Sequence, residues 1–272
     1  MQCKDLESAV DKGATICFEP DSLPPVPPIQ GGSTRQRRIT LTSDDGNEFL
    51  AFEAFADSPS EVAVVVLPDV RGLYPFYEEL ARRLAETGYD AIAVDYFGRT
   101  AGLSSRDDDF PYQDHVPLVT FQGLRADVAA AVAHLRQTDP KRKVVTLGFC
   151  FGGSNAWQQA AAGHNVNGAV GFYGNAGRVR PEGATPATQL APLMEGPVLA
   201  LMAGNDPGIP PEVTEEFAAA LTAAGIPHEV VTYPGAPHSF FDRKYQEYAT
   251  ESADAWNRVL SFLGSVEGGH DS

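Results

Sequence analysis

Apolar positions in this chain follow two rhythms. From Val62 onward, short and wholly apolar runs alternate with segments whose apolar residues recur every three or four positions, the patterns of buried strands and amphipathic helices. The runs Val62 to Leu67, Asp90 to Asp95, Lys143 to Leu147, Gly168 to Tyr173, Val198 to Met202 and His228 to Tyr233 read as strands. Phe76, Leu80 and Leu84 mark one helix face, and Phe121, Leu124, Val128, Val132 and Leu135 mark another. Further helices are expected over about Ser154 to Ala162, from Pro211 with Val213, Phe217 and Leu221 on one face, and over Tyr245 to Leu263. Strands alternating with helices at this spacing predict a mostly parallel α/β sheet covered on both faces, because parallel neighbours need crossover connections.

The beginning of the chain reads differently. Leu23-Pro-Pro-Val-Pro-Pro28 favours extended polyproline conformation and Gly31-Gly32-Ser33 is a flexible joint, so residues 1–38 are expected to form an irregular arm. Ile39 to Thr42 and Glu48 to Phe55 alternate around the turn residues Ser43-Asp-Asp-Gly-Asn47, predicting an antiparallel hairpin on the edge of the sheet. Residues 39–272 then make one α/β domain. Tyr96 to Leu118 is too long and polar for an ordinary connection and is expected to hold a short helix or to cover a site, with Asp107 to Asp109 a solvated face.

Composition narrows the partners. With 20 Lys+Arg against 36 Asp+Glu, the formal charge of −16 opposes long-range attraction to nucleic acid or an anionic membrane. No run of about 18 apolar residues is present and Met1 to Val10 lacks a signal-peptide pattern, so a soluble, cytoplasmic protein is expected. Cys3, Cys17 and Cys150 show no metal-type spacing, and the six histidines are scattered, so neither metal nor cofactor is expected. Cys3 and Cys17 read as small buried apolar residues.

Cys150 is different because of its neighbours. It sits in Gly148-Phe149-Cys150-Phe151-Gly152-Gly153, after a strand and before a helix, which has the form of a nucleophile elbow with cysteine in place of serine. Glycines suit so tight a turn because a Cβ would clash there. Loops at the carboxyl ends of parallel strands gather on one rim, bringing Asp69, Cys150, Asp206 and His238 together. Nucleophile, acid and histidine occur in the chain order of α/β hydrolases. Acyl transfer would use Cys150 as thiolate, His238 as base and acid, and Asp206 to orient the imidazole. The backbone N–H groups of Val70 and Phe151 are the expected oxyanion donors.

Three segments together carry a resemblance: Gly148-Phe-Cys150-Phe-Gly-Gly153, Gly204-Asn-Asp206, and Pro234-Gly-Ala-Pro-His238-Ser-Phe240. They resemble the triad segments of the dienelactone hydrolase family, over about Val62 to the end. The resemblance implies an α/β-hydrolase fold without a large cap domain and hydrolysis of a lactone or activated ester through an acyl-enzyme. It also implies that Asp69, three residues before Gly72, stands where the family carries a glutamate that meets the resting cysteine. Arg99 and Arg243 are the nearest matches to the arginines that hold a substrate carboxylate. From the residues alone, Asp69 reads equally as a helix cap, and Arg99 and Arg243 as surface ion-pair partners. A non-catalytic or regulatory ligand-binding protein on the same scaffold is the alternative reading.

Overall fold

The computed structural model describes residues 22–29, 34–179, 182–242 and 244–269. Its strands are β1 (Thr34–Thr42), β2 (Glu48–Ala56), β3 (Val62–Leu67), β4 (Asp90–Val94), β5 (Lys143–Phe149), β6 (Gly168–Phe172), β7 (Val198–Asn205) and β8 (His228–Pro237). The helices are α1 (Pro75–Glu86), α2 (Gly98–Ala101), α3 (Tyr112–His115), α4 (Phe121–Leu135), α5 (Phe151–Gln159), α6 (Ala187–Leu190), α7 (Pro211–Ala223) and α8 (Ala249–Gly268).

The strands form one eight-stranded sheet in the order β1-β2-β4-β3-β5-β6-β7-β8. β1 pairs antiparallel with β2, and β2 with β4; every other pair is parallel. Side chains alternate between faces as the two-residue strand repeat requires. Val62, Val64 and Val66 join one core with Phe76, Leu80, Leu84, Val259 and Leu263 from α1 and α8. Ala63, Val65 and Leu67 join another with Leu124, Val128, Trp157, Phe217 and Leu221 from α4, α5 and α7. Both faces are therefore dry, which explains the unbroken apolar strand runs.

β3 has β4 on one side and β5 on the other, although β4 precedes β5 in the chain. The winding direction reverses there, opening a crevice at the carboxyl ends of β3 and β5. Leu67 lies level with Gly148, and Phe149 with Phe172, so the loops after β3, β5 and β6 begin at the same height.

Several boundaries differ from the sequence expectation. α8, expected over Tyr245 to Leu263, spans Ala249–Gly268. β1 starts at Thr34, inside the expected arm, because Arg35 to Arg38 pair with Phe55 to Phe52 by backbone bonds that hydropathy does not register. Arg37 and Arg38 are also held by Glu53 and Glu78. α5 begins at Phe151 rather than Ser154, leaving Cys150 as its N-cap. β8 continues to Pro237 beyond a register shift at Ala203 and Asn205 in β7, so His238 follows a strand directly. Gly204 permits this, since a Cβ there would stand 2.6 Å from the Tyr233 carbonyl.

The long stretch after β4 contains α2 and α3 and is tied down by polar contacts. Arg106 makes a 2.6 Å ion pair with buried Asp95, and the Tyr74 hydroxyl donates to Asp108, so the acidic run is not wholly solvated. In the described part of the arm, Val26 is buried and the Ile29 N–H donates to Glu86 at 3.0 Å. Residues 1–21, with Cys3 and Cys17, lie outside the described residues, as do 30–33.

Candidate active site

The turn at Cys150 is closed by backbone fit. Cys150 has φ 55° and ψ −114°, a conformation that costs a non-glycine residue roughly 1–3 kcal/mol and persists only where its surroundings enforce it. Its N–H donates to the Phe172 carbonyl at 3.0 Å, and its own carbonyl accepts from the Gly153 N–H at 3.0 Å. A Cβ on Gly148 would fall 1.9 Å from the Gly152 carbonyl oxygen; one on Gly152 would fall 2.0 Å from that of Leu67. α5 can approach β5 and β3 this closely only with glycine at both places. The side chain of Cys150 touches both cores at the rim, and the N-terminus of α5 points its positive end there.

His238 and Asp206 meet across the rim, with Nδ1 of His238 2.6 Å from Oδ2 of Asp206. The other carboxylate oxygen accepts the Gly208 N–H at 2.9 Å, so the turn after β7 aims the acid. This commits the Nδ1 proton to Asp206 and leaves Nε2 on the other side of the ring. Nε2 is buried and makes no hydrogen bond of ordinary geometry among the described residues, while Cys150 is close enough to act on it electrostatically. Burial alone would disfavour the imidazolium. Cys150 and the bonded Asp206 carboxylate more than offset that, raising the His238 pKa to about 10.

Replacing Asp206 by Asn removes one anion that holds the cation. The His238 titration midpoint, followed by NMR of its ring protons, is therefore expected to fall from near 10; an unchanged midpoint would remove Asp206 from the account.

Tyr173 packs its ring 4.9 Å from that of His238 and has φ 36°. Of the four described non-glycine residues at positive φ, Cys150, Tyr173 and Ser239 lie in these loops. Such clustering of strained backbone is a mark of functional sites.

The remaining residues singled out in the sequence fall in different places. Val70 lies on the loop after β3 and Phe151 is the first residue of α5, and among the described residues the Val70 N–H is bonded to no acceptor. The Asp69 carboxylate is occupied by Arg71, accepting its backbone N–H at 2.8 Å and its Nη2 at 2.7 Å. Arg99 is engaged at the β1–β2 turn, with Nη1 2.6 Å from Asp45 and Nη2 2.8 Å from Asp127. Its guanidinium pins the hairpin to α4, the ion-pair alternative raised by the sequence. Arg243 lies outside the described residues.

Sequence reasoning missed Arg71, Asp242, Tyr173 and Arg178. Arg71 is buried between Asp69 and Asp242. Arg178 is exposed on the loop after β6 and stands 5.8 Å above the Phe151 ring. The available signal was faint: an arginine two residues after a strand-end aspartate, and an aspartate four after the histidine.

Parallel sheet, tight Cys150 turn and paired Asp206 and His238 at one rim define an α/β hydrolase. The chain belongs to the dienelactone hydrolase family, whose sequence profile matches residues 49–267. A carboxymethylenebutenolidase of Rhodococcus opacus is 31% identical over 258 residues, covering 91% of this chain and 96% of its own. A solved Klebsiella pneumoniae protein named "Putative Dienelactone Hydrolase" aligns with a TM-score of 0.75 at 28% identity, over 86% of this chain and 99% of that one. A dienelactone hydrolase-like promiscuous phosphotriesterase from metagenomic libraries shares the fold, with a TM-score of 0.70 at 24% identity over 86% and 98% of the two chains. The protein is a hydrolase of this family, and a small-molecule ester is its class of substrate.

Proposed function

We propose that the protein hydrolyses lactones or activated esters with Cys150 as nucleophile, His238 as acid and base, and Asp206 as the group that orients it. The observation carrying this reading is the constrained Cys150 turn beside a histidine whose Nδ1 is committed to Asp206. Sulfur attacks the ester carbonyl and forms a thioester bond through a tetrahedral oxyanion, which the N–H groups of Phe151 and Val70 would receive. Collapse breaks the ester C–O bond, and the leaving oxygen takes the proton from His238. Neutral His238 then removes a proton from water, which attacks the thioester; the acid product leaves and thiolate and imidazolium return. Denaturing mass spectrometry of a quenched reaction with a slow aryl ester tests the scheme: acyl mass on the peptide containing Cys150 is expected, and steady turnover without it would overturn this route.

A carboxylate on the substrate would meet an acidic protein, so a local cation has to supply the attraction. With Arg99 committed elsewhere, Arg178 beside Phe151 supports this role. Arg178→Ala is expected to raise KM about tenfold for a carboxylate-bearing ester and to leave that of a neutral ester unchanged, a loss of about 1.4 kcal/mol in binding. Equal effects on both esters would remove Arg178 from substrate selection.

A further inference from the structure

The loop after β3 and the loop after β8 approach the crevice from opposite halves of the sheet, and one side chain joins them. Arg71 lies between Asp69 on its own loop and Asp242, four residues beyond His238. Nε and Nη2 engage Asp69 at 3.0 and 2.7 Å, and the same Nη2 donates to Oδ2 of Asp242. All three residues are buried, at 3% exposure for Arg71, 5% for Asp69 and 3% for Asp242. The guanidinium carbon also lies over the Tyr74 ring, 4.8 Å from its centroid.

We propose that Arg71 is a positioning residue that locks the Val70 N–H and His238 to each other across the crevice. This rests on the reading of Cys150 and His238 as nucleophile and base. Three further contacts fix the loop that Arg71 grips. The Asp69 carboxylate caps the Arg71 N–H, the Gly72 N–H donates to the Asp69 carbonyl at 3.1 Å, and the Tyr96 hydroxyl donates to the Pro68 carbonyl at 2.9 Å. Val70 lies within that turn and has no freedom apart from it. On the other side, the Asp242 N–H donates to the Ser239 carbonyl at 3.0 Å, so a pull on Asp242 reaches the residue next to His238.

The task suits arginine and not lysine. A planar guanidinium can hold two carboxylates at fixed angles, whereas an ammonium is a point charge on a flexible stem. The arrangement also keeps the Asp69 carboxylate hydrogen-bonded to Arg71, and its part in this lock is to position Arg71. Displacing a reacting group by about 1 Å can cost on the order of 100-fold in rate.

Asp242→Asn retains the shape of the side chain and removes its charge, and Arg71→Lys retains the charge and removes the fork. Both are compared with the parent and with Cys150→Ala, using a neutral aryl ester, thermal melting, and alkylation of Cys150 by iodoacetamide across a pH series. Both variants are expected to lower kcat between about 10- and 100-fold with KM changed less than about twofold, and to shift the pH profile of alkylation because His238 moves. Lysine failing to restore kcat in a variant that melts cooperatively supports the fork over mere charge. Loss of melting temperature with kcat and the alkylation profile unchanged would overturn the positioning role and leave Arg71 a purely structural pair. Parent-level turnover by Cys150→Ala would instead overturn the nucleophile reading on which the proposal stands. If Arg71→Lys fails to fold, Asp242→Asn decides the matter by the same readouts.

Discussion

Cys150→Ala is expected to lower turnover of an aryl ester or lactone by roughly 10⁴-fold or more, with the thermal melt close to that of the parent. The size follows from the scheme. Removal of the nucleophile eliminates the covalent step, and only substrate binding and oxyanion donors remain to accelerate attack by water. The melt is spared because alanine suffers the same strain at φ 55° as cysteine, and the turn is set by backbone contacts, not by sulfur. Initial rates with a purified variant check the first part and circular dichroism on heating the second. Turnover within tenfold of the parent would mean that another group attacks.

Gly152→Ala tests the frame that holds that sulfur and is expected to cost more than about 4 kcal/mol of stability, in the range reserved for severe steric or core damage. The added methyl would stand 2.0 Å from the Leu67 carbonyl oxygen and 2.2 Å from that of Pro68. Neither can retreat readily. Leu67 is paired with Gly148 in the sheet, and the Pro68 carbonyl is held by Tyr96. α5 would have to move outward, but all of its residues are buried. Urea unfolding of the variant, or its failure to yield folded protein, checks the expectation; a midpoint near the parent's would refute the close approach of α5 to β3.

The alternation of strands and helices was readable because each core strand is covered on both faces and each long helix on one, leaving continuous runs and three-to-four spacing in hydropathy. The turn at Cys150 was readable for a related reason: glycines on both sides of one cysteine record a clash that only a tight strand-to-helix junction would create. β1 shows where this legibility fails. Arg35, Gln36, Arg37 and Arg38 carry no apolar alternation, and their strand exists through backbone pairing with β2. The last turn of β8 failed differently, since Pro234, Gly235 and Pro237 read as a loop although a shifted register accommodates them in the strand.

Arg99 and Asp69 mark the limit within the site. Their distances along the chain from strand ends were visible, but an ionic side chain goes where its opposite charge lies: Asp69 meets Arg71 two residues on, while the partners that place Arg99 and Arg71 across the fold are remote in sequence. Asp127 is 28 residues from Arg99 and Asp242 is 171 from Arg71. The sequence by itself determined the parallel α/β plan, the glycine-framed Cys150 and the order in which Asp206 and His238 follow it, because backbone sterics and hydrophobic burial act on near neighbours and leave a local pattern. Tertiary structure alone decided that β4 and β5 flank β3 to open the crevice, that Arg99 serves the hairpin, and that Arg71 bridges two loops. Those outcomes depend on strand order and on charge pairing across folded distances, and neither leaves a periodic trace in the chain.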